Sequence, residues 1–276
     1  MTTRVNTPLT RLSAGVAATA MMAMAATAVA ADLQPRTVAA FDRYVRVTEA
    51  RATGDARFLW LDTLPESLQR ARREEVRRGT LLIERLTTRD GGGEMPIPDG
   101  LVHHWVGMVF VPGATVDRAL ALLQDYNRHA EIYQPAVAQS RLLARDGDAF
   151  RVHLRFVMKK VITVVVNSEH DARFSRDRPG RAQGRIYSTR IAQVEEAGMP
   201  NEREMPVGRD GGYLWRLYTY WRLLEQDGGT YVQCESISLT RGIPAGFGWL
   251  IRPFVSSIPR ESLEFTLTTT RTALTR

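Results

Sequence analysis

The chain has 276 residues, of which 44% are hydrophobic and 24% are charged, as in a folded globular protein, and this composition excludes disorder over the whole length. The formal charge of +7 comes from 37 Lys and Arg against 30 Asp and Glu. Every one of these cations except Lys159 and Lys160 is arginine. Arginine is therefore the general cation of this sequence, and its scattered abundance does not indicate a nucleic-acid partner.

The first 30 residues have the three parts of a secretory signal peptide. Arg4 and Arg11 precede a run of small and apolar residues, which begins at Leu12 and ends on an A-x-A cleavage site at Ala30. The run is Ala-rich and only weakly hydrophobic, which favours a cleaved leader over a membrane anchor. We therefore expect cleavage near Ala30 and an exported chain that is periplasmic or secreted.

Helical periodicity and one short apolar strand characterise the segment that follows. The predicted elements are a helix over 35–52, a charged helix over 66–79 and a strand over 80–87. The Gly- and Pro-rich residues 90–98 are typical of a linker. The sequence therefore predicts a mainly helical N-terminal extension, residues 31–95, followed by one domain, residues 96–276.

Strands dominate the second part of the chain. A strand over 101–111 and a helix capped by Thr115 come first. The strands predicted next are 137–145, 150–158, 161–174, 185–195, 213–226 and 230–241. A stripe of Leu263, Leu267, Thr270 and Leu274 predicts a long final helix that starts near Pro259. This order predicts an α+β fold in which a curved antiparallel sheet grips the C-terminal helix.

Three local sequences carry a resemblance to a known superfamily. They are VHHWVG at 102–107, LLQDY at 122–126 and LTRGIP at 239–244. Together with the element order, they make residues 101–276 similar to the START-like (Bet v 1-like, SRPBCC) helix-grip proteins, and to uncharacterised exported bacterial members in particular. The resemblance implies a deep, mostly apolar cavity between the sheet and the last helix. It implies less about activity, because the superfamily holds lipid carriers, quinone-binding proteins and aromatase/cyclases.

The histidines do not form a metal or catalytic cluster in the sequence pattern. His103 and His104 are neighbours in a strand, so their side chains point to opposite faces and cannot share one metal ion. His170 lies between Glu169 and Asp171, but an extended strand turns it away from both acids. A structural or solvated cluster is therefore favoured there over acid–base catalysis.

The single cysteine and the missing motifs also favour binding over catalysis. Cys234 lies in a predicted strand and has the character of a small buried hydrophobic residue. The sequence contains no G-x-S-x-G, P-loop, H-E-x-x-H or G-x-G-x-x-G motif. We therefore expect no catalytic residue, no metal and no cofactor.

The hairpin around Gly228 suggests a cavity wall. Alternation predicts one face with large indole rings opposite small side chains: Trp215, Leu217, Thr219, Trp221, Cys234, Ser236 and Ser238. On the opposite face it predicts a cross-strand pair of Arg222 and Glu235. Plain core packing of the tryptophans is an equally good interpretation, and the sequence does not decide which face is concave.

The candidate ligand-binding residues follow from these faces. The aromatic and polar candidates are Trp105, Phe156, Asn167, Tyr187, Trp215, Trp221 and Phe247, with Arg190 and Glu235 as charged candidates. If Arg190 points inward it needs an acid or a ligand anion as partner, and if it points outward it is a surface arginine.

Three functions remain open. The leading hypothesis is an exported carrier of a hydrophobic or amphipathic small molecule (a lipid, a quinone or a polyketide-like compound), with possible contact to a membrane surface and no nucleic-acid partner. The second is a cyclase- or hydrolase-like enzyme that uses His104, Asn167 and Glu235. The third is an interaction module in which residues 31–88 dock a partner and the cavity is collapsed.

Overall fold

One antiparallel sheet organises the structure. Within residues 31–53, 57–160, 162–242 and 248–276, which the computed structural model describes, nine strands form this sheet and four further two-residue strands form two small pairs. In chain order the strands are β1 (Ala31–Asp32), β2 (Leu82–Arg85), β3 (Arg89–Asp90), β4 (Gly93–Glu94), β5 (Gly100–Pro112), β6 (Val137–Asp146), β7 (Ala149–Lys159), β8 (Thr163–Arg178), β9 (Arg181–Glu195), β10 (Arg203–Glu204), β11 (Arg209–Asp210), β12 (Arg216–Gln226) and β13 (Gly229–Arg241). The predicted leader, residues 1–30, and Phe247 lie outside the described residues.

The strand order joins β5 to β13, which are far apart in the chain. The order in the large sheet is β2-β5-β13-β12-β9-β8-β7-β6, and β10 pairs with β9. All these neighbours are antiparallel. Register shifts interrupt the pairing of β6 with β7 and of β8 with β9. Such β-bulges bend strands, which lets the sheet curve.

The helices lie on both faces of this sheet. They are α1 (Pro35–Thr53), α2 (Glu66–Arg77), α3 (Val116–Gln124), α4 (His129–Ile132) and α5 (Gly248–Thr275), with 3-10 turns at Trp60–Thr63 and Tyr126–Arg128. The predicted stripe of α5 is buried: Leu263, Leu267, Thr270 and Leu274. We call the sheet surface that α5 covers the helix face and the opposite surface the outer face. A sheet that grips a long C-terminal helix confirms the predicted α+β helix-grip class.

The last helix is longer than the sequence indicates. We expected its start near Pro259, but α5 begins at Gly248 and continues through Pro253 and Pro259. A proline inside a helix removes one backbone hydrogen bond and disfavours the preceding turn. Packing of the rest of the helix on the sheet outweighs this local preference, as tertiary contacts commonly do.

Close contact between α5 and β5 requires a glycine. A Cβ atom at Gly107 would lie 2.5 Å from Leu267 Cδ1 and 3.2 Å from Leu263 Cδ2. Both leucines belong to the main core with Val109 and Leu223. The missing side chain at Gly107 therefore lets the helix approach the backbone of β5.

The N-terminal segment covers the outer face. From α1, Phe41 and Tyr44 pack with Ile237 and Leu239 of β13. A second cluster joins the segment before and within α2 to β5 and β13: Leu59, Leu61, Val76, Met108, Phe110 and Tyr231. The strand β2 extends the sheet by pairing with β5. Residues 31–276 form one compact unit.

The glycine-rich segment is a hairpin in the structure. We expected a linker over 90–98, but β3 and β4 pair across Gly91 and Gly92, whose φ angles are +58° and +85°. Positive φ at two central residues is what a tight hairpin turn requires, and glycine adopts it freely. The carbonyl of Pro98 then accepts a hydrogen bond from Thr37 of α1, at 2.8 Å.

The contact at Gly107 can be tested by a double-mutant cycle. Gly107→Ala should destabilise the fold by about 1–3 kcal/mol through overpacking. In a Leu267→Ala background, which itself costs about 2–5 kcal/mol, the added methyl group should cost much less because its obstacle is gone. Urea unfolding measures both. Gly93→Ala is the matched control, because its nearest contact would be an ordinary 3.8 Å. Equal costs of Gly107→Ala in both backgrounds would contradict this packing.

Candidate functional site

A row of four half-buried side chains crosses the middle of the helix face. The register aligns Trp105 of β5 with Ser236 of β13, Ser236 with Thr219 of β12, and Thr219 with Ile186 of β9. All four retain partial exposure, whereas Val109 and Trp221, which lie further along the same face, are buried. The helix face therefore has a closed part under Leu267 and a part with accessible surface.

Small hydroxyl groups and one imidazole continue beside this row. Leu217 N–H donates to Ser188 Oγ at 3.0 Å, which places Ser188 beside the start of β12. His170 of β8 pairs with Ser188 in the register and, like it, is buried. We call Ser168, His170, Ser188, Thr219, Ser236 and Ser238 the polar band.

Apolar clusters lie on both sides of the polar band. Along β8, the helix-face residues are Val164 and Val166, then Ser168 and His170 of the band, then Ala172 and Phe174. The first pair belongs to a cluster with Ile191, Phe156, Met158 and Leu217. The last pair belongs to the main core with Leu263 and Leu267. The helix face therefore presents apolar, polar and apolar surface in sequence.

The imidazole of the polar band is held in one orientation. His170 Nε2 lies 2.9 Å from Ser168 Oγ, and the Ser168 hydroxyl donates to Leu154 O at 3.0 Å. The ring edge contacts Phe156, with ring centres 6.1 Å apart. Burial lowers the pKa of His170 to about 4, so the ring is neutral at neutral pH.

Three of the predicted ligand residues lie on the helix face. Trp105 and Phe156 are half-buried there, and Trp221 is buried beside Cys234, its register partner. The shared face that alternation predicts for Trp221, Thr219 and Cys234 is confirmed by the register.

Four other predicted residues face the opposite way. Asn167, Tyr187, Arg190 and Glu235 lie on the outer face. Asn167 Nδ2 donates to Glu204 Oε1 at 2.8 Å, and Arg190 forms an ion pair with the same carboxylate. Tyr187 donates to Glu49 of α1. Burial, followed by this contact with Glu49, raises the pKa of Tyr187 to about 12. These side chains therefore contact other residues of this chain and lie away from the helix face.

A buried chain of hydrogen bonds joins α1 to the outer face. His104 Nε2 lies 2.8 Å from Glu235 Oε1, and His104 Nδ1 lies 3.0 Å from the Tyr44 hydroxyl. That hydroxyl also accepts from Thr88 N–H at 2.8 Å. The expected cross-strand pair of Arg222 and Glu235 is wrong, because Glu235 stands opposite Tyr220. His104 and Glu235, proposed for the enzymatic alternative, do meet, but beneath α1.

Trp215 does not share a face with Trp221. It packs with Phe41, Ile237 and Leu239 under α1, and its indole N–H donates to Asp210 Oδ1 at 3.1 Å. The reason is that β12 begins at Arg216. Trp215 therefore precedes the regular alternation from which its direction was predicted.

The band residues of β8 and β9 are the part of the site that the sequence analysis missed. Ser168, His170 and Ser188 were not among the candidates, and His170 was assigned to a structural or solvated cluster. The signal is the alternation of Val164, Val166, Ser168 and His170 on one face, which places small polar side chains in a buried row.

Other chemistry is limited in the described part of the chain. There, no three His, Cys, Asp or Glu side chains come together as a metal site requires. Cys234 is a buried free thiol, and burial raises its pKa. None of the helices that the structure describes has the length and apolar character of a membrane span.

Comparison with known proteins concerns the fold. A long strand, a helix pair, a run of antiparallel strands and a gripped C-terminal helix are the arrangement that the sequence resemblance implies. This arrangement is the helix-grip type. No family model and no curated protein matches the chain.

Three solved structures illustrate the similarity. A STAR-related lipid transfer protein fragment from Xanthomonas axonopodis is 18% identical, with 70% of this chain and 99% of that chain covered and a TM-score of 0.45. The Zhui aromatase/cyclase from Streptomyces sp. R1128 is 14% identical, with 63% and 94% covered and a TM-score of 0.42. Human STARD10 is 10% identical, with 78% and 82% covered and a TM-score of 0.43.

Buried neutral histidines predict a pH-dependent stability. Burial lowers the pKa values of His103, His129 and His170 to about 4, against 6.5 in an unfolded chain. Below pH 6.5 these histidines bind protons in the unfolded state but remain neutral in the folded state. Their contribution to stability is therefore complete above pH 6.5 and declines as the pH falls toward 4. Between pH 7 and pH 5 the free energy of unfolding should fall by up to about 2 kcal/mol per histidine.

Urea unfolding at pH 7, 6 and 5 measures this decline. In His129→Phe, the fall in the free energy of unfolding between pH 7 and pH 5 should be smaller by the contribution of one histidine. His153→Phe, at a half-buried position on the outer face, should change this fall less. A free energy of unfolding that is constant over this range would show that these rings are not buried as neutral groups.

Proposed function

We propose that the protein binds a hydrophobic or amphipathic small molecule against the helix face of its sheet. The observation that carries the proposal is the polar band between two apolar clusters, beside the half-buried Trp105 and Phe156. Ligand sites are commonly apolar surfaces with a few fixed polar groups, and this surface has that composition. A lipid, a quinone or a polyketide-like compound has the matching chemistry.

The two faces of the sheet suggest different roles for the two parts of the chain. We propose that residues 96–276 form the binding domain and that residues 31–95 serve as its cover on the outer face. The apolar side chains of the cover, such as Phe41 and Leu59, are buried against the sheet. This use of its apolar surface argues against the alternative in which the extension docks a separate partner.

The enzymatic alternative has weaker support. Its acid–base pair would be His104 and Glu235. The His104 side chain is only 3% exposed and is hydrogen-bonded to Tyr44 of α1. On the helix face, the polar band offers hydroxyl groups and a neutral imidazole, which suit orientation of a ligand. A binding experiment separates the two hypotheses. A carrier, like a lipid transfer protein, releases its ligand unchanged, whereas an enzyme, like an aromatase/cyclase, converts it.

A pair of matched substitutions tests binding. Ser236→Phe places a ring in the half-buried row and should reduce the affinity for 1-anilinonaphthalene-8-sulfonate, and its displacement by palmitate, at least about tenfold, because the ring occupies the accessible surface. Ser175→Phe makes the same change at an exposed position of β8 and should leave both unchanged. Fluorescence titration of the mature chain measures the affinities, and circular dichroism verifies folding.

Two results would contradict the proposal. One is a wild-type chain that neither binds the dye nor exchanges it for palmitate. The other is a folded Ser236→Phe variant that binds as tightly as Ser175→Phe.

We propose further that the chain is exported and meets anionic membranes. The leader ending at Ala30 supports export. A groove of about 380 Å³ on the sheet surface, which four arginines and two aspartates help to line, supports membrane contact: Arg145, Arg151, Arg173, Arg185, Asp146 and Asp171.

Fractionation of cells that express the full chain tests export and membrane contact together. The expected mass is that of a chain starting at Ala31, in the periplasmic or secreted fraction, with a membrane-bound share that high salt releases. An intact leader, or recovery in the cytoplasm, would contradict export. A membrane-bound share that salt does not release would contradict electrostatic contact.

A further inference from the structure

One nitrogen of the polar band has no protein partner. His170 is 2% exposed, and its Nδ1 atom makes no hydrogen bond with any residue that the structure describes. Buried polar atoms in folded proteins are almost always satisfied, so each exception requires an explanation. His170 also lies on the surface to which the proposed function assigns the ligand.

The neighbouring hydrogen bonds fix which nitrogen carries the proton. The Ser168 hydroxyl uses its hydrogen on Leu154 O, so toward His170 it can only accept. His170 Nε2 therefore carries the proton and donates it to Ser168 Oγ. In a neutral ring this leaves a lone pair on Nδ1, so the free atom is a hydrogen-bond acceptor.

The acceptor lies in the middle of the surface along the strand. Val164 and Val166 lie on one side of it and Ala172 and Phe174 on the other, in the two separate apolar clusters. His170 and these four residues are buried in the ligand-free chain, so a ligand reaches Nδ1 by displacing apolar side chains and then has apolar groups on both sides of the imidazole. The polar group that meets Nδ1 is therefore internal to the ligand.

We propose that His170 is a specificity-determining residue whose Nδ1 accepts a hydrogen bond from a hydroxyl group within an otherwise apolar ligand. The inference rests on the proposed function and narrows it to a class of ligand, namely hydrophobic molecules with an internal hydroxyl. A ligand with only a carbonyl at that position would place its oxygen, a hydrogen-bond acceptor, against the acceptor Nδ1 of His170. It therefore binds less well.

Two nearly isosteric probes test this selectivity. Hexadecan-8-ol can donate to Nδ1, and hexadecan-8-one cannot. The wild-type chain should bind the alcohol at least about tenfold more tightly than the ketone, measured by displacement of 1-anilinonaphthalene-8-sulfonate. His170→Phe removes the acceptor and should bring the ratio of the two affinities close to one. His153→Phe makes the same change on the outer face of the neighbouring strand and should keep the wild-type ratio.

A measurement on the wild-type chain does not depend on the folding of variants. The 15N resonance of His170 Nδ1 should be that of an unprotonated nitrogen in the ligand-free protein. It should shift on addition of the alcohol and stay in place on addition of the ketone, because only the alcohol donates a hydrogen bond.

The outcomes separate this inference from the function on which it rests. If the wild-type chain binds neither probe nor palmitate, the proposed function fails. If it binds the two probes equally or prefers the ketone, or if Nδ1 carries the proton, ligand binding stands and the role of His170 is overturned.

Discussion

Alternation of side chains between the two faces of one antiparallel sheet is the constraint on which the rest of this structure depends. Successive residues of each strand point to opposite faces, and here helices pack on both faces. A strand residue therefore belongs either to the helix face or to the outer face. This assignment separates His103 from His104. It also separates the polar band from the hydrogen bond of Asn167 and the ion pair of Arg190 with Glu204.

On the outer face, α1 supplies hydrogen-bond partners to polar side chains of the sheet. Tyr44 and Glu49 of α1 reach the sheet and bind His104, Tyr187 and Tyr220. A buried polar group without such a partner loses its hydration without compensation, so these contacts hold α1 in one position. On the helix face, His170 Nδ1 has no such partner among the described residues.

Much of the fold could be predicted from local patterns, and the rest depended on tertiary contacts. Turn glycines and alternation indicated the hairpin of β12 and β13, and the spacing of Leu263 and Leu267 indicated the gripped helix. The direction of Arg190 could not be predicted, because a bulge in β9 puts it on the same face as Tyr187, three residues before it. The packing of residues 31–95 on the outer face could not be predicted either, because the sequence of a strand does not show which segment packs on each of its faces.

Identification of what occupies the helix face tests the central claim most directly. The mature protein, purified gently from its native host, would be extracted and the small molecules analysed by mass spectrometry beside the Ser236→Phe variant. The account predicts a reproducible, mainly apolar species in the wild-type extract that is depleted in the variant. An extract without any such species, from a protein whose helix face is filled by its own side chains, would contradict it.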